Sequence, residues 1–174
     1  MKTLLLVRHA KSDWSDPALD DHDRPLAPRG IRATGLIGSA LAPGAAPGVI
    51  ICSTATRALD TANRIAAYWT PPPPVVETRE LYLAAPGQMF AVLGVFGGTH
   101  ETVMLVAHEP GIRHLALVLD GSSDPPFAFR YPTGAVAVLR FGTDRWSELE
   151  PGSGVRVDWI LPRALERAAS RPDG

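Results

Sequence analysis

Three short runs of uninterrupted apolar residues, each closing on polar chemistry and each followed by helical spacing, constrain this chain more than any other feature. The runs are Leu4-Leu5-Leu6-Val7, Val49-Ile50-Ile51-Cys52 and residues 102–107. A strand with one face in water alternates apolar and polar residues, whereas one covered on both faces is apolar throughout, as in parallel sheets clad by helices. Residues 29–41 place Ala33, Leu36, Ile37, Ala40 and Leu41 on one stripe, and residues 54–69 do the same with Leu59, Ala62, Ile65, Ala66 and Trp69. Strand, helix, strand, helix at this spacing predicts an α/β fold: a three-layer αβα sandwich with a mostly parallel central sheet.

Ser53 is a candidate N-cap for the helix over residues 54–69. Residues 71–74 are all proline, a rigid stop, and Val75-Val76 suit a small strand. Met89, Phe90, Leu93 and Phe96 predict a helix over residues 86–96, and another follows over residues 112–119. Residues 135–141 and 145–150 read as late strands joined through Gly142-Thr143-Asp144, an antiparallel edge. One domain over residues 1–161 is expected, followed by a polar, alanine-rich tail, a frayed helix or loose segment, over residues 162–174.

Composition narrows the function classes. At 174 residues the chain suits one domain, able to bury about two-thirds of the surface its unfolded form exposes. A net charge of −1 gives no global attraction to nucleic acid or to an anionic membrane, so neither is an expected partner. Cys52 is the only cysteine, which rules out an intrachain disulfide and a zinc site built on several thiolates. No apolar stretch approaches the roughly 20 residues that span a bilayer. The first apolar run is too short for a secretion signal and is followed at once by Arg8, His9 and Lys11, so a soluble, cytoplasmic protein is expected.

The chemistry gathers at the strand ends. Open α/β sheets place ligands at the carboxyl ends of their strands, and here those ends carry Arg8-His9, Ser53-Thr54-Ala55-Thr56-Arg57 and His108. If the strands are neighbours, two histidines and two arginines converge. Arg57 falls in the first turn of a helix, where free N–H groups and the helix dipole attract anions. Guanidinium groups grip phosphate oxygens in bidentate fashion, which lysine does not. Such a cluster fits a phosphoryl group, and a neutral imidazole is a competent nucleophile toward phosphorus. His9, beside Arg8, is the candidate nucleophile, and His108 the candidate cationic partner of the bound dianion. His22, His100 and His114 read as structural or solvated. The loop over residues 13–28 is too long for a minimal connection, which points to a functional segment.

Leu6-Val7-Arg8-His9-Ala10-Lys11-Ser12 resembles the signature of the histidine phosphatase superfamily, the phosphoglycerate mutase-like fold. Its usual form has glycine where Ala10 stands. Together with Arg24-Pro25-Leu26, Cys52-Ser53-Thr54-Ala55-Thr56-Arg57-Ala58 and Val106-Ala107-His108, the departure resembles the small SixA-type phosphohistidine phosphatase branch. The resemblance implies His9 as the phosphorylated nucleophile and Arg8, Arg57 and His108 as the phosphate pocket. It adds Arg24 as a further contact to phosphate, Glu80 as the nearest match to a proton-donating carboxylate, and Thr133, with Gly134, as part of a loop near the pocket. It implies a metal-independent hydrolase without cofactor, acting on phosphohistidine of a partner protein. A small-molecule phosphomonoesterase or mutase of the same superfamily is the alternative, although the chain has little spare length for a capping insertion. A non-catalytic phosphate-binding module and a metal site on His9, His108 and the acidic loop with His22 are the competing readings, the latter opposed by two adjacent arginines.

Overall fold

The computed structural model describes residues 1–170. In chain order the elements are β1 (Lys2–Arg8), α1 (Pro28–Leu41), β2 (Val49–Ser53), α2 (Thr56–Ala66), β3 (Val75–Thr78) and α3 (Pro86–Phe96). They continue with β4 (Thr102–Ala107), α4 (Gly111–Leu119), β5 (Val136–Phe141), β6 (Val155–Ile160) and α5 (Pro162–Ala169). One six-stranded sheet runs in the order β3-β2-β4-β1-β5-β6. Strands β1 to β4 are mutually parallel, while β5 is antiparallel to β1 and β6 antiparallel to β5. The antiparallel strand is therefore second from the edge, not the edge itself.

The three apolar runs become the three central strands. Alternation along β1 sends Leu4 and Leu6 to a core shared with α3 and α4, and Leu5 and Val7 to a second core shared with α1 and α2. Each buried Leu, Ile or Val contributes roughly 1.5–3 kcal/mol, and the middle strands are buried residue after residue, so their register is strongly specified. This architecture is the three-layer αβα sandwich expected from the sequence. Among the described residues, no helix is long and apolar enough to cross a membrane.

Two expectations at the C-terminal end are corrected. Residues 145–150 form no strand; a 3-10 turn at Trp146–Glu148 buries the Trp146 ring, whose Nε1 donates to the His100 carbonyl at 2.9 Å. The partner of β5 is instead β6, whose alternating Val155-Arg156-Val157-Asp158 leaves much of it exposed. The frayed helix or loose segment expected from residue 162 is a helix as far as Ala169 that docks on the domain, with Pro162 buried and Leu165 packed on the second core. Residues 171–174 of that expected tail lie outside the described residues.

Tyr131 fixes the chain between α4 and β5 to the strand that carries His9. Its hydroxyl donates to the Leu6 carbonyl at 2.6 Å and accepts from the Ala137 N–H at 3.0 Å, bridging β1 and β5 from inside the core. Gly134 then turns with φ of 77°, a conformation that suits glycine, and its N–H reaches the carbonyls of Arg8 and His9 at 3.0 and 3.1 Å. The strand end bearing the Arg-His pair is thereby clamped.

Candidate active site

The parallel order β2-β4-β1 brings the three strand ends side by side, and with them His9, Arg57 and His108. All three are buried. The imidazole rings of His9 and His108 lie 5.0 Å apart between centroids. Arg57, the second residue of α2, reaches between them: its Nε lies 3.3 Å from His9 Nε2 and its Nη2 3.4 Å from His108 Nδ1.

Hydrogen-bond partners decide the tautomers. His9 Nδ1 lies 2.8 Å from the Ala10 carbonyl, which can only accept, so Nδ1 carries the proton and Nε2 keeps its lone pair. That lone pair faces Arg57. Burial, helped by the charges of Arg57 and Arg8, pushes His9 down to about 4, so the ring is neutral at neutral pH. The Ala10 N–H donates to Thr61 Oγ1 at 3.0 Å, and the Thr61 hydroxyl donates to the Arg57 carbonyl at 2.6 Å, which ties the β1 end to the first turns of α2.

His108 is oriented in the complementary way. Its Nδ1 faces the Arg57 donor and its Nε2 lies 2.7 Å from Ser53 Oγ, so the proton sits on Nε2 and Ser53 accepts it. Ser53 also receives the Ala55 N–H at 3.3 Å. Burial, with His9 and Arg57 nearby, pushes His108 down to about 3. The cationic His108 expected from the sequence is thus neutral among these protein neighbours, and only an added negative charge would restore its proton. Ser53 is not the cap of α2, which begins later behind Ala55 without a side-chain cap.

Two residues that sequence reasoning missed complete the cluster. Asp21 holds Arg57 by its backbone carbonyl and by Oδ2, the latter 2.8 Å from Nη2. Tyr82 donates its hydroxyl to the same Oδ2 at 2.8 Å, and its ring stands edge-on to His108 at 5.5 Å. Burial raises the Asp21 carboxyl, but the hydrogen bonds from Arg57 and Tyr82 outweigh it and hold the group below the usual carboxylate range. Burial and the Asp21 carboxylate raise the Tyr82 phenol. His22, read as structural or solvated, packs edge-on against Tyr82 at 5.0 Å and bonds Thr54 Oγ1 and Asp23 Oδ1 at 3.0 Å each.

The remaining sequence candidates lie elsewhere or are otherwise engaged. Arg8 is half-buried and donates from Nη1 to the Tyr131 carbonyl at 2.7 Å, while its buried Nε has no partner. Arg24 is spent inside the loop over residues 13–28: Nη1 and Nη2 donate to the carbonyls of Asp16 and Leu19 at 3.0 and 2.9 Å, and the guanidinium stacks 4.1 Å above Trp14. It therefore shapes the loop that delivers Asp21. Glu80 is exposed, and its side chain makes no hydrogen bond among the described residues. Thr133 lines, with Arg8, a cavity beside the cluster. Among the described residues, no group of three or more His, Cys, Asp or Glu side chains is placed to hold a metal ion.

Comparison with known proteins accords with this geometry. The family model of the histidine phosphatase superfamily (branch 1) matches residues 4–82, the span holding His9, Asp21, Arg57 and Tyr82. An uncharacterized protein of Mycobacterium tuberculosis is 39% identical over 164 residues, covering 90% of this chain and 100% of the relative. The chain belongs to the histidine phosphatase superfamily. A candidate phosphohistidine phosphatase SixA from Nakamurella multipartitia matches with a TM-score of 0.79 at 28% identity, over 92% of this chain and 96% of that one. The protein histidine phosphatase SixA complexed with tungstate shares the fold, with a TM-score of 0.75 at 21% identity over 94% of this chain and 99% of that one. Within the superfamily, the chain is of the SixA type.

Proposed function

We propose that this chain is a phosphatase that works through a phosphohistidine on His9 and acts on phosphohistidine of a partner protein. The observation that carries the reading is the unprotonated His9 Nε2 facing Arg57, with Nδ1 locked onto the Ala10 carbonyl. In the first step the Nε2 lone pair forms a bond to phosphorus, the bond from phosphorus to the substrate imidazole breaks, and that nitrogen leaves with its electron pair and takes a proton. In the second step water adds to phosphorus, the bond to Nε2 breaks, and inorganic phosphate leaves a neutral His9. Arg8 and Arg57 hold the phosphoryl oxygens, and His108 gains its proton as the dianion arrives. Dividing one displacement into two lowers each barrier.

The substrate class follows from what the site offers the leaving group. An imidazole leaving from a labile P–N bond needs less help from an acid than an alkoxide does, and Glu80, the expected carboxylic acid, stands in solvent. Asp21, held on Arg57 and Tyr82, is the carboxylate nearest the pair and is depressed, which suits accepting a proton from water in the second step better than supplying one in the first. Among the described residues, the loop over residues 13–28, through Asp21, and the turn carrying Tyr82 lie against the pair and are too small for a capping insertion, which favours a phosphorylated side chain on a protein.

The test compares wild type with His9→Ala on a phosphohistidine-bearing phosphotransfer protein and on a small phosphoester. Loss of the nucleophile lowers turnover by at least ~10³-fold, and wild type quenched in alkaline detergent carries alkali-stable, acid-labile phosphate on His9. A His9→Ala protein with near-normal activity sinks the mechanism. Preference for the phosphoester sinks the substrate assignment.

A further inference from the structure

The cavity lined by Arg8 and Thr133, of about 570 Å³, opens between the start of α1, residues 130–133 and α5. Its charged lining is Arg8, Lys11, Arg29, Arg130, Arg163 and Arg167 against Glu166 alone. Six cations to one anion leaves a local excess of five, in a chain whose formal net charge is −1. The side chains of Arg24, Arg57, Arg113 and Arg156 are committed to carbonyls or carboxylates. Those of Lys11, Arg29, Arg130, Arg163 and Arg167, by contrast, make no ion pair and no hydrogen bond among the described residues. Like charges gathered without counter-charges repel one another, a cost that a bound anion removes.

Two further features sharpen the site. Helices α1 and α5 both start at this cavity, with Pro28 and Pro162 in their first turns and no side-chain cap, so uncapped backbone N–H groups add to the positive field. The floor between the cations is apolar, from Ala33, Pro132, Leu161 and Pro162. Phe129, which precedes the lining residue Arg130, is 99% exposed. A large aromatic left wholly in water is the kind of group that protein partners cover.

We propose that this basin binds an acidic segment of a protein partner, and that the segment is the neighbourhood of the phosphoryl group which the His9 site removes. The second clause rests on the function proposed above; the first does not. A lone phosphate would take one or two of the forks and leave the other cations facing each other. An extended chain bearing several carboxylates matches them in number, lays its aliphatic parts on the apolar floor and covers Phe129. The basin also sits in the right place for such a role. Arg8 lines it while the next residue is His9, and the Gly134 N–H clamps the carbonyls of both.

The test uses the full chain and a fluorescein-labelled dodecapeptide rich in Asp and Glu and free of phosphate, followed by anisotropy. Expected is binding that weakens as salt rises, falls at least ~10-fold in the double variant Arg163→Glu/Arg167→Glu, falls in Phe129→Ala, and is unaffected by His9→Ala. A melting temperature close to that of wild type shows that the α5 variant is folded. The double variant Arg140→Glu/Arg145→Glu makes the same charge change at the far end of β5 and leaves binding intact. Absence of peptide binding overturns the proposal, as does equal weakening by both double variants. Binding of inorganic pyrophosphate without the peptide also overturns it, in favour of a small polyanion.

Activity separates this proposal from the function it extends. A protein that binds the peptide but hydrolyses no phosphohistidine protein keeps the basin and loses the phosphatase reading. A His9-dependent phosphatase whose KM for an acidic phosphoprotein ignores the charge reversals on α5 does the reverse. With both readings right, those reversals raise KM for the phosphoprotein at least ~10-fold with kcat little changed, and leave KM for a small phosphoester where it was.

Discussion

Replacing Asp21 by asparagine should tighten the binding of inorganic phosphate. Asp21 Oδ2 lies 2.8 Å from Arg57 Nη2, on the guanidinium that also faces both imidazoles. An incoming dianion must displace this carboxylate or share the arginine with it. Two unit charges about 4 Å apart interact by roughly 4 kcal/mol at an effective dielectric near 20. The Asp21 side chain is 42% exposed, so solvent screening discounts this to about 1–2 kcal/mol, or roughly tenfold in Kd. Asparagine preserves the shape, an oxygen acceptor for the Tyr82 hydroxyl, and the backbone contact from residue 21 to Arg57. Isothermal titration of phosphate or vanadate at neutral pH and low salt reads the difference, and the gap should narrow as salt is raised. If Asp21→Asn binds phosphate no better, or worse, the carboxylate organises Arg57 for the anion instead of competing with it, and the argument fails.

Other perturbations reach different parts of the site. Ser53→Ala strips the acceptor from the buried His108 Nε2 proton, and should cost about 1–3 kcal/mol in urea unfolding together with a loss of turnover that Ser53→Thr partly restores. Burial pushes His9 to about 4 and His108 to about 3, both below the ordinary histidine value of 6.5. From pH 6.5 downward the unfolded chain therefore binds more protons than the folded one. Stability is fully present above pH 6.5 and falls as pH drops toward 3–4, by up to about 1.4 kcal/mol per pH unit for each histidine; urea midpoints between pH 7.5 and 4.5 should show the slope, and His108→Gln should flatten it. Arg24→Ala should make residues 13–23 sensitive to chymotrypsin, at Trp14 and Leu19, by removing the bonds to Asp16 and Leu19 and the stack on Trp14. Loss of phosphate binding with unchanged protease resistance would instead return Arg24 to the phosphate.

Much of this was legible because its cause is local. Central strands covered on both faces read as unbroken apolar runs, so β1, β2 and β4 announce themselves, and the residues ending them are the ones a parallel sheet brings together. The edge strand β6 has weaker burial, and its Val-Arg-Val-Asp alternation competes with the turn at 142–144 that points to residues 145–150. What decides between them is distant: Trp146 finds its place beside Gly97 and the His100 carbonyl, which no local pattern states. Ser53 was misassigned for a related reason. A serine before a helical stretch is an ordinary cap signal, yet α2 begins only at Thr56, and the hydroxyl is drawn to His108, 55 positions away. After β3 the sequence points to Glu80, which is exposed on its short turn, while Tyr82, two residues on, faces Asp21 and His108.

The neutral histidines also explain why the arginines are held as they are. A pocket that kept His9 protonated would have no lone pair to offer phosphorus, and burial with Arg57 at hand prevents that. The same arginine then needs a counter-charge of its own, because a buried, unpaired guanidinium is costly. Asp21 supplies it from a loop, not from the sheet, with a side chain still 42% exposed. A counter-charge fixed in the core would hold Arg57 permanently, whereas one carried by residues 13–28 yields to a dianion for the cost of moving a loop. The length of that loop, conspicuous in the sequence as more than a connection needs, thus has a physical reason at Arg57.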